Sequence, residues 1–244
     1  RQRKIAAGYT MEELELILHP MVAEAKEATG SMGDDTPIAV LSDKFRPLSH
    51  FFRQKFSQVT NPPIDSLREQ SRMSLKTRFG NLRDVLDSNS YQDNVFVMDS
   101  PIITNSIFSK MMKFGQNVTK IIDCSFDLKK TSLKETIKRI QNEAEAAVLS
   151  GKQHVVLTDI NTDHDKVSAP IILATAAVHT FLTRKGIRSF VSIHTQSAEC
   201  LDTHYFAVLI GVGATTVNPY LAQECIRERH EKGLFKNLSY EECV

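Results

Sequence analysis

Strand-like and helix-like segments alternate from about residue 92 to the end of this chain, and this alternation limits the folds open to it. Short runs rich in valine and isoleucine predict strands, and longer amphipathic runs between them predict helices. Strands joined through helices form right-handed crossovers, which make the strands parallel within one sheet. About five strands are predicted, fewer than the eight of a closed βα barrel. The sequence therefore predicts an α/β fold, with strands at residues 94–98, 120–124, 154–158, 190–194 and 215–217.

Capping residues mark the starts of the predicted helices. Thr104 can cap the helix that follows it, and Ser132 with Glu135 forms a capping box. Asn218 is predicted to cap a helix that carries Pro219 in its first turn. Further helices are predicted at residues 133–148, 169–184 and 201–210, and another opens at residue 239. Because the chain ends inside that last helix, we expect the natural polypeptide to continue.

Residues 1–91 are predicted to be mainly helical and irregular, and residues 92–244 form the βα-repeat region. Thr10 with Glu13 forms a capping box, Pro20 should break or restart the first helix, and Gly30 suits its C-terminal cap. Residues 37–42 are predicted as a short strand or extended run. A further helix is predicted at residues 48–56, with an apolar stripe that is core or faces a partner domain. The stripe comprises Phe45, Leu48, Phe51, Phe52 and Phe56.

The segment at residues 58–65, which reads QVTNPPID, lies between that helix and another predicted at residues 64–73. Pro62 and Pro63 lack amide hydrogens and have fixed φ angles, so the segment cannot continue a helix or a central strand. Proline also restricts the residue before it, which stiffens Asn61. On the residues alone, a tight corner between two helices is favoured over a shaped binding surface.

Composition is that of an ordinary soluble globular protein. The 30 basic and 29 acidic residues leave a net charge of +1, whereas nucleic-acid-binding proteins usually show a basic excess. No apolar run approaches the roughly 20 residues that span a bilayer, and no signal-peptide core follows the N-terminus. A cytoplasmic location without nucleic-acid or membrane partners is therefore expected. The four cysteines are widely spaced, which favours buried structural thiols over disulfides or a zinc ribbon.

An acidic loop and three histidines are the candidates for an independent active site. Asp159, Asp163, His164 and Asp165 follow a predicted strand, where α/β sites often lie, but their spacing matches no standard metal-ligand pattern. Histidines in apolar segments are more often core residues, and His194 at a strand end is the best-placed acid–base group among them. The other two are His179 and His204.

Motifs across nearly the whole chain resemble the central region of the glutamate synthase large subunit. They occur in the same order as in that family, which chance does not readily produce. They are GYT at residues 8–10, GSMGDDTPIAVLSD at 30–43, QVTNPPID at 58–65, DSPIITN at 99–105, GVGA at 211–214 and VNPYLA at 217–222.

The resemblance implies an incomplete, barrel-like α/β domain without catalytic, cofactor-binding or metal-binding residues of its own. The parent enzyme would make glutamate from glutamine and 2-oxoglutarate with FMN and an iron–sulfur cluster, and this fragment alone would be inactive. The partners would be the glutaminase and FMN-binding domains of the same polypeptide, in the cytoplasm or, for a plant-type source, the plastid. The candidates for the wall of an ammonia tunnel between those domains are Val59, Thr60, Asn61, Pro62 and Pro63.

Two other functions stay open at this point. One is an independent small α/β enzyme that uses His194 or the Asp159–Asp165 loop, which should have a deep pocket with converging polar groups. The other is a protein-interaction module that docks through the phenylalanine-rich helix at residues 45–56.

Overall fold

The computed structural model describes residues 2–27, 37, 39–43, 46–53, 55, 59–89, 95–235 and 237–244. Its strands are β1 (Thr77–Phe79), β2 (Phe96–Met98), β3 (Thr119–Asp123), β4 (Ser125–Phe126), β5 (His154–Thr158), β6 (Val167–Ser168), β7 (Ser192–Gln196) and β8 (Thr216–Asn218). The α-helices are α1 (Gln2–Ala6), α2 (Met11–Glu13), α3 (His19–Glu24), α4 (Ser66–Arg72), α5 (Asn105–Phe114), α6 (Leu133–Leu149), α7 (Ile171–Arg184), α8 (Thr203–Gly211), α9 (Tyr220–Glu231) and α10 (Tyr240–Cys243).

A four-stranded parallel sheet in the order β3-β5-β7-β8 forms the centre of the fold. Helices α6, α7 and α8 provide the successive crossovers, as the alternating pattern predicts. Beyond β8, Ile102 adds one parallel bridge to Val217. The described strands form no closed barrel, which confirms the prediction of an α/β fold with an incomplete barrel-like sheet.

The main core lies between this sheet and its crossover helices. All five residues of β5 are buried, and Val155, Leu157 and Ile193 reach 0% exposure against α6 and α7. Burying one such aliphatic side chain stabilises a fold by roughly 1.5–3 kcal/mol, so this face dominates the stability of the domain. A second cluster joins the N-terminal helices to α9 through Leu18, Leu221 and other apolar residues.

Most predicted caps are confirmed, and one is wrong. Ser132 and Glu135 form the capping box of α6, and the Thr104 side chain accepts a hydrogen bond from the Ile107 N–H at the start of α5. Asn218, however, lies in β8, and its side-chain amide donates to the carbonyl of Ile103 at 3.1 Å instead of capping α9. At 0% exposure the amide must find buried partners, and these come from distant parts of the chain.

The first helices follow the sequence with one adjustment. Thr10 and Glu13 form the predicted capping box. Residues Leu14–Leu18 adopt a π-helical turn, after which α3 begins with Pro20 in its first turn. A proline has no N–H and its ring crowds the preceding turn, so a widened turn lets the helix restart here as predicted. Helix α3 ends at Glu24, with Ala25 in the left-handed region at φ 48°; the predicted cap Gly30 lies outside the described residues.

Two predictions between residues 37 and 56 are wrong. The described part of residues 37–42 contains a turn, closed by the Ser42 N–H donating to the carbonyl of Ala39 at 2.9 Å, rather than a strand. The predicted helix at residues 48–56 is a single 3-10 turn, Leu48–Phe51, after which Phe52 is extended. Within the stripe, Leu48 packs on the main core, whereas Phe51 and Phe52 are 50% and 37% exposed, because one short turn does not keep them on the same face; Phe45 and Phe56 lie outside the described residues.

Strand β2 does not belong to the parallel sheet as predicted. The sequence assigns residues 94–98 to the alternating βα region, but β2 pairs antiparallel with β1 in a separate two-stranded sheet. Strand β1 has no counterpart among the strands predicted from the sequence. Phe79 at its end is 1% exposed and packs on the rings of Phe96 and His194, with ring centroids 5.4 and 5.3 Å away. This antiparallel pair thus anchors the irregular N-terminal half to the parallel sheet.

All four cysteines are buried and free, as predicted. Within the described residues, no helix combines the length and the apolar character that crossing a membrane requires.

Candidate functional site

Ligands of α/β folds commonly bind beyond the carboxyl ends of the parallel strands, and polar side chains gather there in this protein. Thr158 ends β5 and its hydroxyl donates to Gln196 at 2.9 Å. Gln196 ends β7 and its amide donates to the side-chain oxygen of Asn218 at 3.3 Å. Asn218 in turn donates to the carbonyl of Ile103. These groups bond mainly to one another, so they leave little hydrogen-bonding capacity for a ligand.

Asp159 follows β5 and has its own set of hydrogen bonds at the same edge of the sheet. Its carboxylate accepts from the Ser197 hydroxyl at 2.5 Å and from the Ala198 N–H at 2.9 Å. The residue is 2% exposed, and burial raises the pKa of its carboxyl although these hydrogen bonds oppose the shift. The N-terminal segment covers this edge, since the Arg3 guanidinium donates to the carbonyl of Ile160 at 3.3 Å. Asp159 is therefore a buried structural acid here.

The rest of the acidic loop does not join Asp159. Asp163, His164 and Asp165 are exposed, and the Asp163 carboxylate accepts from the backbone N–H groups of Asp165 and Lys166. In the described part of the chain, no three His, Cys, Asp or Glu side chains converge as a metal site would require. The loop is a local turn stabilised by its own aspartate.

His194 lies in the core, where no substrate can reach it. It is 0% exposed, bonds His154 at 3.0 Å and the Thr216 hydroxyl at 2.7 Å, and lies under Phe79. Burial, reinforced by the charges of His154 and Arg188, lowers the pKa of His194 to about 3. The imidazole is thus neutral at physiological pH and is poorly suited to acid–base catalysis.

A small cavity lies between the N-terminal helices, the Leu48–Phe51 turn and the start of α8. Its volume is about 50 Å³, enough for a few water-sized molecules but far below the roughly 300 Å³ of a typical ligand pocket. Glu199 lines it and accepts a hydrogen bond from the Tyr205 hydroxyl at 2.5 Å. Burial raises the pKa of Glu199 to about 7. The Tyr9 hydroxyl, also at the cavity, donates to the carbonyl of Cys200 at 3.1 Å, so both of these polar groups have partners within the protein.

The described residues of the segment QVTNPPID lie on the surface of the protein. Its described residues Val59, Thr60, Asn61, Pro62 and Pro63 are all exposed, with Val59 at 63%. The Ile64 N–H donates to the carbonyl of Pro62 at 2.8 Å, and Asp65 caps α4 by accepting from the Arg68 N–H. The segment leads into one helix, as expected, but the described residues before it include a 3-10 turn and the extended Phe52 in place of the second helix.

Several contacts between residues far apart in the chain were not predicted from the sequence. His154 is the partner of His194, Phe79 covers both, and the His204 ring contacts the carbonyl of Ser49 at 2.9 Å. The sequence contains only a weak signal for them, namely histidines in otherwise apolar strands and helices. Nothing local indicates which partner each ring finds.

Comparison with known proteins agrees with the motifs. The family model described as the glutamate synthase central domain matches residues 2–243. The glutamate synthase [NADPH] large chain of Azospirillum brasilense is 55% identical over 99% of this chain, and that of Bacillus subtilis is 37% identical over 99%. The chloroplastic ferredoxin-dependent glutamate synthase of rice is 38% identical over 91%. The chain spans only 16%, 16% and 14% of these relatives. This chain belongs to the family of central domains of the glutamate synthase large subunit.

Proposed function

We propose that this domain is a non-catalytic scaffold that holds the glutaminase and FMN-binding domains of one glutamate synthase polypeptide in register. The observation that carries the proposal is the closed carboxyl edge of the parallel sheet. Thr158, Asp159, Gln196 and Asn218 occupy the place where a related barrel would bind its ligand, and they bond to protein groups. A domain with this edge filled is suited to support rather than to chemistry.

The cofactors of the parent enzyme belong, in this proposal, to other parts of the polypeptide. An iron–sulfur cluster needs converging thiolates, whereas the four cysteines here are buried at separate points of the fold. The residues present therefore do not fit a cluster. The domain by itself would be inactive, and glutamate formation from glutamine and 2-oxoglutarate would require the domains that make up most of the relatives' length.

We assign the segment Val59–Pro63 to the wall of a path for ammonia between those domains. Ammonia that meets bulk water at neutral pH is largely protonated and is lost as a nucleophile, so the path must exclude water. A wall needs an exposed backbone that keeps its shape, and Pro62 and Pro63 restrict the backbone here. Exposed apolar side chains nearby, such as Ile64 at 41% and Leu67 at 86%, support contact with a neighbouring domain.

The test is the replacement of Thr60 by tryptophan in the intact enzyme. We expect glutamate formation from glutamine to fall while formation from added ammonia persists, because a bulky ring would obstruct transfer without touching either active centre. Thr183→Trp, which alters an exposed threonine on α7, is the matched control and should change neither rate. An equal fall of both rates in Thr60→Trp would contradict the tunnel role.

A docking module is the second function that an observation favours, and it is compatible with the scaffold. Phe51 is 50% exposed, with the Arg46 guanidinium 5.0 Å from its ring centroid, and aromatic and arginine side chains are enriched at protein–protein interfaces. We also propose that the helical and irregular segment ends at residue 91 and that the βα-repeat region begins at residue 92. A cytoplasmic or plastid location likewise stays a proposal. The plastid is supported by the chloroplastic relative from rice.

A further inference from the structure

The segment Val59–Pro63 belongs to a long stretch of chain in which no described residue is buried. Every described residue from 50 to 76, here called the exposed arm, is exposed. The residues at its two ends are not: Ser49 is 4% exposed and Phe79 is 1% exposed. Because no described side chain of the arm is buried, the attachment of these two ends contributes to its position relative to the domain.

The C-terminal end of the arm has a strong attachment. Phe79 packs edge-on against the rings of His154 and His194, with centroid distances of 6.0 and 5.3 Å. The Ser192 hydroxyl accepts from the Gly80 N–H at 2.8 Å and donates to the Gly80 carbonyl at 3.0 Å. This end is therefore fixed to β7 by both packing and paired hydrogen bonds.

At the N-terminal end, the short turn Leu48–Phe51 contacts the rest of the domain. Leu48 of the 3-10 turn packs on the main core, and the carbonyl of Ser49 contacts Nε2 of His204 on α8 at 2.9 Å. A carbonyl can only accept, so the Nε2–H of His204 is the donor. Both the neutral Nε2–H tautomer and the protonated ring provide this hydrogen, so the bond does not require one charge state.

We infer that His204 is a positioning residue, which holds the Leu48–Phe51 turn on α8 and thereby sets where the exposed arm presents Val59–Pro63. The inference deepens the proposed function, since the position of the arm matters to ammonia transfer only if the arm walls the path. The bond joins residues 155 positions apart. It therefore ties the start of the arm to a helix that follows the third strand of the parallel sheet.

His230 provides a matched control for the loss of such a bond. Its Nε2 also contacts a backbone carbonyl, that of Leu238, at 2.9 Å, and it too is partly buried. This contact lies at the C-terminal end of the domain, within the region of α9 and α10. His204→Ala and His230→Ala thus remove equivalent hydrogen bonds, but only the first touches the attachment of the arm.

The position of the arm can be measured by electron spin resonance distances in the 244-residue chain. Spin labels on Thr60→Cys and on Lys138→Cys of α6 would report it, because the four natural thiols are buried. We expect a defined distance distribution in the parent and in His230→Ala, and a broader, shifted one in His204→Ala. Loss of one hydrogen bond should increase the population in which the turn is released from α8 about fivefold. His204→Gln, which keeps an N–H donor, should restore the parent distribution.

An unchanged distribution in His204→Ala, or an equally broad one in the parent chain, would overturn the inference. Activity of the intact enzyme separates this failure from failure of the proposed function. If Thr60→Trp uncouples the two rates and His204→Ala does not, the wall role stands and the positioning role falls. If Thr60→Trp leaves the rates coupled while His204→Ala still moves the arm, the proposed function fails and the positioning role remains.

Discussion

His194 should make the domain less stable in mild acid than it would be without this imidazole. The ring is 0% exposed, and burial together with the charges of His154 and Arg188 lowers its pKa to about 3. In the unfolded chain the pKa returns to about 6.5. The unfolded state therefore binds a proton that the folded state rejects. The stability gained from a neutral His194 is complete above pH 6.5 and is lost as the pH falls from 6.5 toward 3.

The size of the effect follows from the two pKa values. Between pH 7 and pH 5 the linkage removes about 2 kcal/mol from the free energy of unfolding. Glu199 acts in the opposite direction, because burial raises its pKa to about 7 and the folded state then binds a proton more readily than the unfolded state. The pH profile of the parent protein alone mixes both effects. A comparison with His194→Gln isolates the histidine, since glutamine does not titrate.

Urea unfolding at pH 7, 6 and 5 provides the measurement. Far-UV circular dichroism is the suitable signal, because the chain contains no tryptophan. From pH 7 to pH 5, the free energy of unfolding of the parent should fall by about 2 kcal/mol relative to that of His194→Gln. His164→Gln, which alters an exposed histidine, is the control. A parent-to-His194→Gln difference that does not change with pH would refute the reasoning.

Two further substitutions test how the core is built. Gly213→Ala should destabilise the domain by more than about 2 kcal/mol in urea unfolding, because Gly213 has φ +112° and an added Cβ would lie 2.3 Å from the His179 ring. Gly211→Ala, where a Cβ meets nothing within 4 Å, should change stability little, and similar losses for both would argue against the steric account. Phe79→Ala should cost about 3–5 kcal/mol, since the ring is 1% exposed against the histidine pair. Phe114→Ala, at 85% exposure, should cost less than about 0.5 kcal/mol. Equal urea midpoints for Phe79→Ala and Phe114→Ala would contradict the buried placement of Phe79.

Local patterns were sufficient for the regular part of the fold. The capping box of Ser132 and Glu135 and the left-handed glycines Gly151 and Gly186 mark the predicted helix boundaries, because a helix end is decided by groups within one turn of it. The alternation of strands and helices predicted the parallel sheet for the same reason, since each element shows its own hydrophobic period.

Predictions that depended on distant partners were less successful. Asn218 has the sequence environment of a helix cap, yet its amide bonds Ile103, 115 residues away. The phenylalanine spacing after Leu48 resembles a helix, yet Phe51 and Phe52 stay exposed and a single 3-10 turn forms. In both places a buried partner, or its absence, outweighed local preference.

The candidate site also combines features that the sequence determined with features that only the tertiary structure decided. The sequence alone determined the family, through ordered motifs, and the stiffness of the segment at Pro62 and Pro63, through the fixed φ of proline. Only the tertiary structure decided that His194 is a buried neutral ring, that Asp159 is satisfied by Ser197, and that Val59–Pro63 is exposed, with Ser49 and Phe79 as the nearest buried residues among those that the structure describes. Burial and hydrogen-bond partnership arise between residues tens to hundreds of positions apart, and no local pattern encodes which of them meet.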